Sequence, residues 1–154
     1  MKVIVAAVGK PRNPALAAAI HEFEGRAARY WPLEVHEVRG EPATSVSADL
    51  VREREGERLA RVLPASAHVV ACDAGGTPKT SEEFSAWLQA ERVRGRDVAF
   101  VIGGAFGLSD AVRSGARLRL ALAPWTLSHE LARLVLAEQL YRAGTIVRRE
   151  PYHK

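Results

Sequence analysis

Short, continuously apolar runs alternate along the chain with longer segments of helical periodicity. Runs at 3–8, 68–72 and 98–102 are rich in β-branched and aromatic residues, as is typical of strands buried on both faces of a parallel sheet. The segment 33–38 instead alternates apolar and polar residues, and leucine recurs at every second position over 118–122. The pattern therefore predicts five strands, with 33–38 at or near a sheet edge.

Five helices are predicted between and after these strands. Asn13-Pro14 provides an N-cap followed by a first-turn proline, Thr80 and Glu83 form a capping box, and Ser128 is a good N-cap for the last helix. The predicted helices cover 14–30, 49–63, 80–94, 109–115 and 129–143. Strands that alternate with helices indicate a single three-layer α/β domain, spanning 1–154, around a mostly parallel sheet.

The last predicted helix is apolar on most of its surface, which favours a position at the centre of the fold or at a subunit contact. Gly144 is predicted to end it in a left-handed C′ conformation. Glu138 and Arg142 stand four residues apart beside apolar positions. They form either a structural ion pair or a pair that holds a ligand or the chain's tail.

The tail itself is Pro151-Tyr152-His153-Lys154. A phenol and an imidazole can stack on bases or transfer protons, although a terminal Tyr-His pair is also found in chain ends that are simply docked. Both interpretations remain open from the residues alone.

Composition narrows the class of protein. With 47% hydrophobic and 26% charged residues the chain is typical of a globular domain, and no apolar run is long enough to cross a bilayer. Cys72 is the only cysteine, which excludes an internal disulfide and favours the cytoplasm. It is interpreted as a small core residue. The five histidines are scattered, so no metal site is predicted.

Positive charge is concentrated in the C-terminal part. Residues 1–91 contain 11 Lys and Arg against 13 Asp and Glu, whereas residues 92–154 contain 11 against 5. Either this part contacts phosphates or it is a solvated basic surface. Its arginines include Arg113, Arg117, Arg119, Arg133, Arg142, Arg148 and Arg149. The charged centre of the second helix, 53–58, is interpreted as a solvated face without chemistry.

Three predicted turns follow the carboxyl ends of strands, at 72–76, 103–107 and 123–128. This edge of a parallel sheet is where small ligands bind, and glycines there let the backbone approach a nucleoside. By itself the Gly103-Gly104 pair is equally typical of a tight turn and of a ligand loop. The run G-G-A-F-G is not the dinucleotide fingerprint, which disfavours an NAD(P)-dependent oxidoreductase.

Together, V-A-F-V-I-G-G-A-F-G-L-S, P-W-T-L-S-H-E-L-A-R-L-V-L-A-E-Q-L-Y-R-A and the terminal P-Y-H-K closely resemble the bacterial 23S ribosomal RNA pseudouridine N3-methyltransferase family of the SPOUT superfamily. The opening A-V-G-K and the segment E-G-E-R also match, so the resemblance covers essentially the full length. It implies a C-terminal trefoil knot, bound S-adenosyl-L-methionine, an obligate homodimer, and as substrate N3 of a pseudouridine in 23S rRNA of the assembled ribosome.

The resemblance also implies roles for individual residues. Catalytic or positioning roles fall to His129, Arg142, Tyr152 and His153. It implies cofactor contacts by Cys72, Asp73, Gly103, Gly104, Ala123, Pro124, Trp125, Thr126, Leu127 and Ser128.

Phe106 replaces a residue that is commonly acidic in the family, so no mechanism that needs a carboxylate at this position would apply. A non-catalytic ribosome-binding module of the same fold is the competing interpretation.

Overall fold

The computed structural model describes residues 1–42, 44 and 46–153, without the side chain of His153. Within these residues, five strands alternate with five helices, as predicted. The strands are β1 (Val3–Val8), β2 (Leu33–Val38), β3 (His68–Pro78), β4 (Val98–Ile102) and β5 (Leu118–Ala121). The helices are α1 (Pro14–Ala27), α2 (Ala48–Val62), α3 (Ser81–Val93), α4 (Asp110–Gly115) and α5 (His129–Val147), followed by a 3₁₀ turn, Pro151–His153.

The sheet has the strand order β2-β1-β4-β3-β5, and every neighbouring pair is parallel. The inner strand β1 is buried along its whole length, whereas its neighbour β2 occupies an edge and is mostly half-buried. These positions confirm the distinction drawn from the hydrophobic pattern. Because all strands point the same way, their carboxyl ends meet at one edge of the sheet.

Helices cover both faces of the sheet, which confirms the three-layer α/β class. Helices α1, α3 and α5 pack on one face, where the core contains Trp31, Phe100 and Leu136. The indole Nε1 of Trp31 donates to the carbonyl of Leu140 at 2.8 Å and so fixes α5 to the chain that follows α1. Helices α2 and α4 cover the other face over a smaller core that includes Leu59.

The predicted caps are present. Asn13 accepts from the amides of Ala15 and Leu16 at 2.9 and 3.2 Å. Thr80 and Glu83 satisfy each other's amides, as a capping box requires. These local signals explain why each helix start is predicted to within one residue.

Strand β3 is longer than predicted, since it continues past Cys72 to Pro78. Its register against β5 shifts on the way, because both Cys72 and Thr77 lie opposite Leu120. A Cβ on Gly76 would lie 2.6 Å from the carbonyl carbon of Arg119, so this glycine permits the close approach. The prediction of a free turn over 72–76 was therefore wrong: the segment is a bulged strand paired with β5.

Helix α5 also runs further than predicted. Gly144 lies inside it, and the left-handed residue is Arg149, with φ of 57°. A Cβ on Gly144 would lie 2.3 Å from Cγ of Tyr30. This glycine lets an aromatic ring pack against the helix, and the prediction that it ends the helix was wrong.

Not every residue in the central segment of α2, 53–58, faces solvent. Glu55 is only 4% exposed, and Gly56 packs against Ser109 and Val112 of the α4 region. The interpretation of 53–58 as a solvated face was therefore wrong for these two residues.

Among the residues that the structure describes, no helix is both long enough and apolar enough to span a membrane.

Candidate active site

A cavity of about 270 Å³ opens at the carboxyl edge of the sheet, where β3, the 103–107 turn and the chain before α5 meet. Eight of the ten predicted cofactor residues line it: Cys72, Asp73, Gly103, Gly104, Ala123, Trp125, Thr126 and Leu127. Pro124 and Ser128 do not. Ser128 instead caps α5 by accepting from the amide of Leu131 at 3.4 Å. Leu108, Arg113, Leu122 and Ala132 also line the cavity, although none of them was predicted to contact the cofactor.

The 103–107 turn is tight and forms one wall of the cavity. The amide of Gly107 donates to the carbonyl of Gly104 at 3.0 Å, and Gly107 has φ of +78°. A Cβ on Gly103 would lie 2.5 Å from the carbonyl carbon of Gly107. A side chain at 103 would therefore force the turn apart.

Asp73 gives the cavity an anionic group. Its Oδ2 accepts from Nε of Arg119 at 2.9 Å, and its Oδ1 accepts from the amide of Gly75 at 3.3 Å. Burial raises the pKa of this carboxyl, but the bonds from Arg119 and Gly75 outweigh burial, so the pKa lies below its ordinary value. Asp73 is therefore ionised at neutral pH.

Cys72 is a free thiol in the cavity wall. Burial raises its pKa to about 12, so the thiol is protonated at neutral pH. This residue is half-buried: it packs against the core, as the sequence suggested, and also lines the cavity.

The predicted catalytic residues lie in two separate places. His129, the first residue of α5, lines the cavity. Arg142 follows thirteen residues later on the same helix, about 20 Å away at the helical rise. Tyr152 lies beside Arg142. The side chain of His153 is outside the described part of the chain.

Tyr152 and Arg142 share one acceptor. The Tyr152 hydroxyl donates to Oε1 of Glu138 at 3.1 Å, and Nη2 of Arg142 donates to the same oxygen at 2.6 Å. The Arg142 guanidinium also lies 4.8 Å from the centroid of the Tyr152 ring. Burial and the bond to Glu138 raise the pKa of Tyr152. The Glu138–Arg142 pair therefore exists and contacts the tail, as one of the two interpretations predicted.

The C-terminal arginines differ in their availability. Arg133 is 3% exposed, and its guanidinium contacts Glu24 at 2.8 Å and Glu37 at 2.7 Å. It is therefore a buried ion-pair residue, and its inclusion in a basic surface was wrong. Arg113 pairs with Asp110 and Arg119 pairs with Asp73. Arg117 is exposed.

A second cavity, of about 840 Å³, adjoins the first. Gly104 and His129 line both cavities. No three His, Cys, Asp or Glu side chains in the described chain come together in a group suited to a metal.

The fold is a parallel α/β sheet with a glycine-walled cavity at its carboxyl edge, beside the first residue of a helix. In this class of α/β protein, that edge is where small ligands bind. Residues 1–153 match the family described as predicted SPOUT methyltransferases. The chain belongs to the SPOUT methyltransferase family, which confirms the resemblance found in its motifs and the expectation of a methyltransferase.

Similar proteins agree with this family. The ribosomal RNA large subunit methyltransferase H of Gemmatimonas aurantiaca is 62% identical over 154 residues, covering all of both chains. That of Geotalea uraniireducens is 41% identical and covers 99% of each chain. A probable methylase family protein from Haemophilus influenzae shares the fold, with TM-score 0.57 at 12% identity over 99% of this chain and 70% of its own.

Proposed function

We propose that this protein transfers a methyl group from S-adenosyl-L-methionine to N3 of a pseudouridine in 23S rRNA, on the assembled ribosome. One observation supports the proposal most directly: eight residues expected to contact the cofactor surround a single cavity. Full-length relatives bearing the name ribosomal RNA large subunit methyltransferase H support the choice of substrate.

The chemistry of the cavity suits this cofactor. Leu108, Leu122 and Leu127 offer apolar surface for an adenine ring, and the backbone of the 103–107 turn can approach the nucleoside. The anionic Asp73 suits hydroxyl or cationic groups, and Arg113 suits a carboxylate. S-adenosyl-L-methionine contains all of these groups.

The bound cofactor supplies a methyl group on a positively charged sulfur. For transfer, the N3–H bond of the base must release its proton, the N3 lone pair must form the new bond to the methyl carbon, and the carbon–sulfur bond must break. The protein must therefore align N3 with the methyl group and accept a proton.

His129 is the residue proposed to accept that proton. It lies between the two cavities, at the amino end of α5, so a base in one cavity and a cofactor in the other would both lie beside its imidazole. An imidazole accepts a proton near neutral pH. Gly104 also lines both cavities and contributes no side chain of its own there.

The tail is proposed to act in trans. Within one chain Tyr152 lies at the far end of α5 from His129, which makes the tail a poor partner for its own cavity. We therefore propose a homodimer in which Arg142, Tyr152 and His153 of one copy close over the nucleotide held by the other. The 154 residues form one domain in this proposal, and their C-terminal part is threaded as a knot, in the cytoplasm.

Calorimetry with S-adenosyl-L-methionine tests the first step. We expect one binding event that Asp73→Ala weakens, with Glu57→Ala, on the exposed side of α2, as the control. Absence of binding by the folded wild-type protein would favour a ribosome-binding module that transfers nothing.

Mass mapping tests the second step. Ribosomes that lack the modification are incubated with the protein and labelled cofactor, and the labelled nucleotide is located in 23S rRNA. Label at N3 of a pseudouridine is expected. Label on another nucleotide, or on protein, would overturn the proposed substrate.

A further inference from the structure

The second cavity shares only Gly104 and His129 with the lining of the cofactor site. Residues 9–12, after β1, form one side, and residues 39–42, after β2, form another. Gly104 and His129 separate it from the first cavity. None of the eight cofactor residues described above except Gly104 lines it.

Three cationic side chains lie at the edge of this cavity: Lys10, Arg12 and Arg39. All three residues are exposed. Within the described chain, the ion pairs at this edge involve other residues, such as Glu41 with Arg54 and Arg58. The backbone around these cations is fixed, since the amide of Arg12 donates to Glu130 at 2.6 Å and the carbonyl of Arg39 accepts from Arg58 at 2.9 Å. Unneutralised cations on an ordered edge suit phosphate groups.

An unpaired carboxylate oxygen lies at the inner wall. Glu55 lines the cavity and is 4% exposed. Its Oε1 accepts from the amide of Glu41 at 3.0 Å, but its Oε2 has no hydrogen-bond partner in the described chain. A buried carboxylate oxygen without a donor is costly, so this atom calls for an N–H or O–H group from a molecule that the cavity receives.

Glycine makes room for this carboxylate. A Cβ on Gly104 would lie 2.8 Å from Oε2 of Glu55, whereas a Cβ on Gly40 would lie at an ordinary 3.6 Å from Oε1. Oε2 therefore faces the Gly104 turn that divides the two cavities. A hydrogen-bond donor reaches Oε2 when the 103–107 turn shifts slightly, and the three glycines of this turn permit such a shift.

We propose that the second cavity binds the target nucleotide, and that Glu55 recognises its base through Oε2. The inference rests on the proposed function and deepens it, because it names the substrate subsite. The phosphates on either side of the nucleotide contact Lys10, Arg12 and Arg39. The base enters beside Gly104, so that its N3 faces the cofactor cavity and His129.

The acceptor at Glu55 distinguishes pseudouridine from uridine. Both bases have an N3–H, but in pseudouridine the sugar is attached to carbon, so ring nitrogen N1 keeps a hydrogen that uridine lacks. Glu55 accepts from this N1–H while N3 remains free to react. A site built to bind a donor rejects the analogue that lacks it, because its own polar group is then left unpaired.

The test compares two substrates: large ribosomal subunits with pseudouridine at the target position, and subunits with uridine there. Wild-type protein is expected to prefer the first in kcat/KM. In Glu55→Gln, the remaining side-chain oxygen still accepts from the backbone amide of Glu41, so the NH₂ group takes the position of Oε2. The N1–H of the base then faces a donor instead of an acceptor. We expect the preference to fall by roughly 10- to 100-fold, which is the effect of one lost hydrogen bond to a charged group.

Calorimetry with S-adenosyl-L-methionine accompanies this test. The affinity of Glu55→Gln for the cofactor is expected to match wild type, and Glu57→Gln, on the exposed side of the same helix, should keep the substrate preference. A wild type that methylates both substrates equally, or a Glu55→Gln variant with unchanged preference, would overturn the inference. Failure of wild type to bind cofactor would instead overturn the proposed function.

Salt dependence tests the edge of the cavity separately. In the test, Lys10, Arg12 and Arg39 are all replaced by alanine, and the affinity for large subunits is measured at several salt concentrations. The slope of log affinity against log salt concentration should be smaller in magnitude by about two to three, since each lost phosphate contact lowers that magnitude by somewhat less than one. Arg61→Ala is the control, because it removes an exposed cation of α2 that lies away from this cavity. An unchanged slope in the triple variant would remove these cations from the nucleotide site.

Discussion

The ring of Tyr30 packs so closely on Gly144 that a Cβ there would lie 2.3 Å from Cγ of the ring. In most helix interiors, alanine is more favourable than glycine by about 1 kcal/mol. Here the clash outweighs that gain, because Tyr30 is held by its bond to Glu150 and by the neighbouring Tyr141 ring. Gly144→Ala should lower the free energy of unfolding by about 1–3 kcal/mol, measured by urea denaturation.

Gly25 in α1 is the matched control for that substitution. A Cβ at Gly25 meets nothing within 4 Å. Gly25→Ala should therefore raise the free energy of unfolding by up to about 1 kcal/mol, as helix propensity alone requires. If both variants were stabilised, Tyr30 would not pack on Gly144 as described.

Removal of Tyr152 to Lys154 should separate cofactor binding from transfer. The tail contacts Glu138 and Arg142, far along α5 from His129, so the truncated protein should keep its affinity for S-adenosyl-L-methionine. Transfer to ribosomes should collapse, because the tail is proposed to close over the nucleotide. Calorimetry and labelled-methyl transfer measure the two steps. A fully active truncated protein would exclude the tail from the reaction.

Tyr30 should make stability depend on pH in the alkaline range. Its hydrogen bond to Glu150 raises the pKa of the phenol from 10.0 to about 12. The folded state therefore holds this proton more tightly than the unfolded state, so the stabilisation is complete below pH 10 and is lost as pH rises toward 12. Urea denaturation across this range should show a steeper decline for wild type than for Tyr30→Phe. Equal slopes would mean that the phenol has its ordinary pKa.

Cys72 should react slowly with thiol reagents. Its pKa of about 12 leaves almost no thiolate at about pH 8, and the side chain is half-buried in the cavity wall. Alkylation by iodoacetamide should be far slower in the folded protein than in urea, and slower still with S-adenosyl-L-methionine bound. Rapid alkylation unaffected by the cofactor would place the thiol outside the site.

Arg133 should be essential for stability. Its guanidinium is buried between Glu24 and Glu37, so Arg133→Met would leave two carboxylates without their partner. We expect a loss of about 3–5 kcal/mol in the free energy of unfolding. Adding Glu24→Gln and Glu37→Gln should restore part of it. Arg61→Met, whose side chain is 76% exposed, should change stability by less than about 0.5 kcal/mol.

Local signals account for the part of the fold that the sequence predicts. Continuous apolar runs identified the buried strands, and side-chain caps such as Asn13 and Thr80 identified helix starts. Both act within a few residues. The extension of β3 and of α5 depends on partners distant in sequence, namely Arg119 for Gly76 and Tyr30 for Gly144. Without knowledge of these partners, a glycine in the sequence predicts the end of a strand or helix.

The same limit applies to the site. Most of the cofactor cavity was predicted, because parallel strands bring their carboxyl ends together, although the segment 72–76 is a bulge in β3 and not a turn after it. Glu55 was not predicted as a site residue, because the charged pattern of its helix does not show that its carboxylate packs against Gly104. Arg133 was missed for the same reason: its carboxylate partners are about 100 residues away in the chain.

The two faces of the sheet are unequally protected. Three helices and most of the aromatic core cover one face, whereas α2 and the six-residue α4 cover the other. Transient opening of the thinner layer exposes less apolar surface, so its backbone amides should exchange with deuterium well before those of β1 and β4. Because Glu55 of α2 lines the second cavity and Arg113 of α4 lines the first, the layer expected to open most readily also borders both cavities.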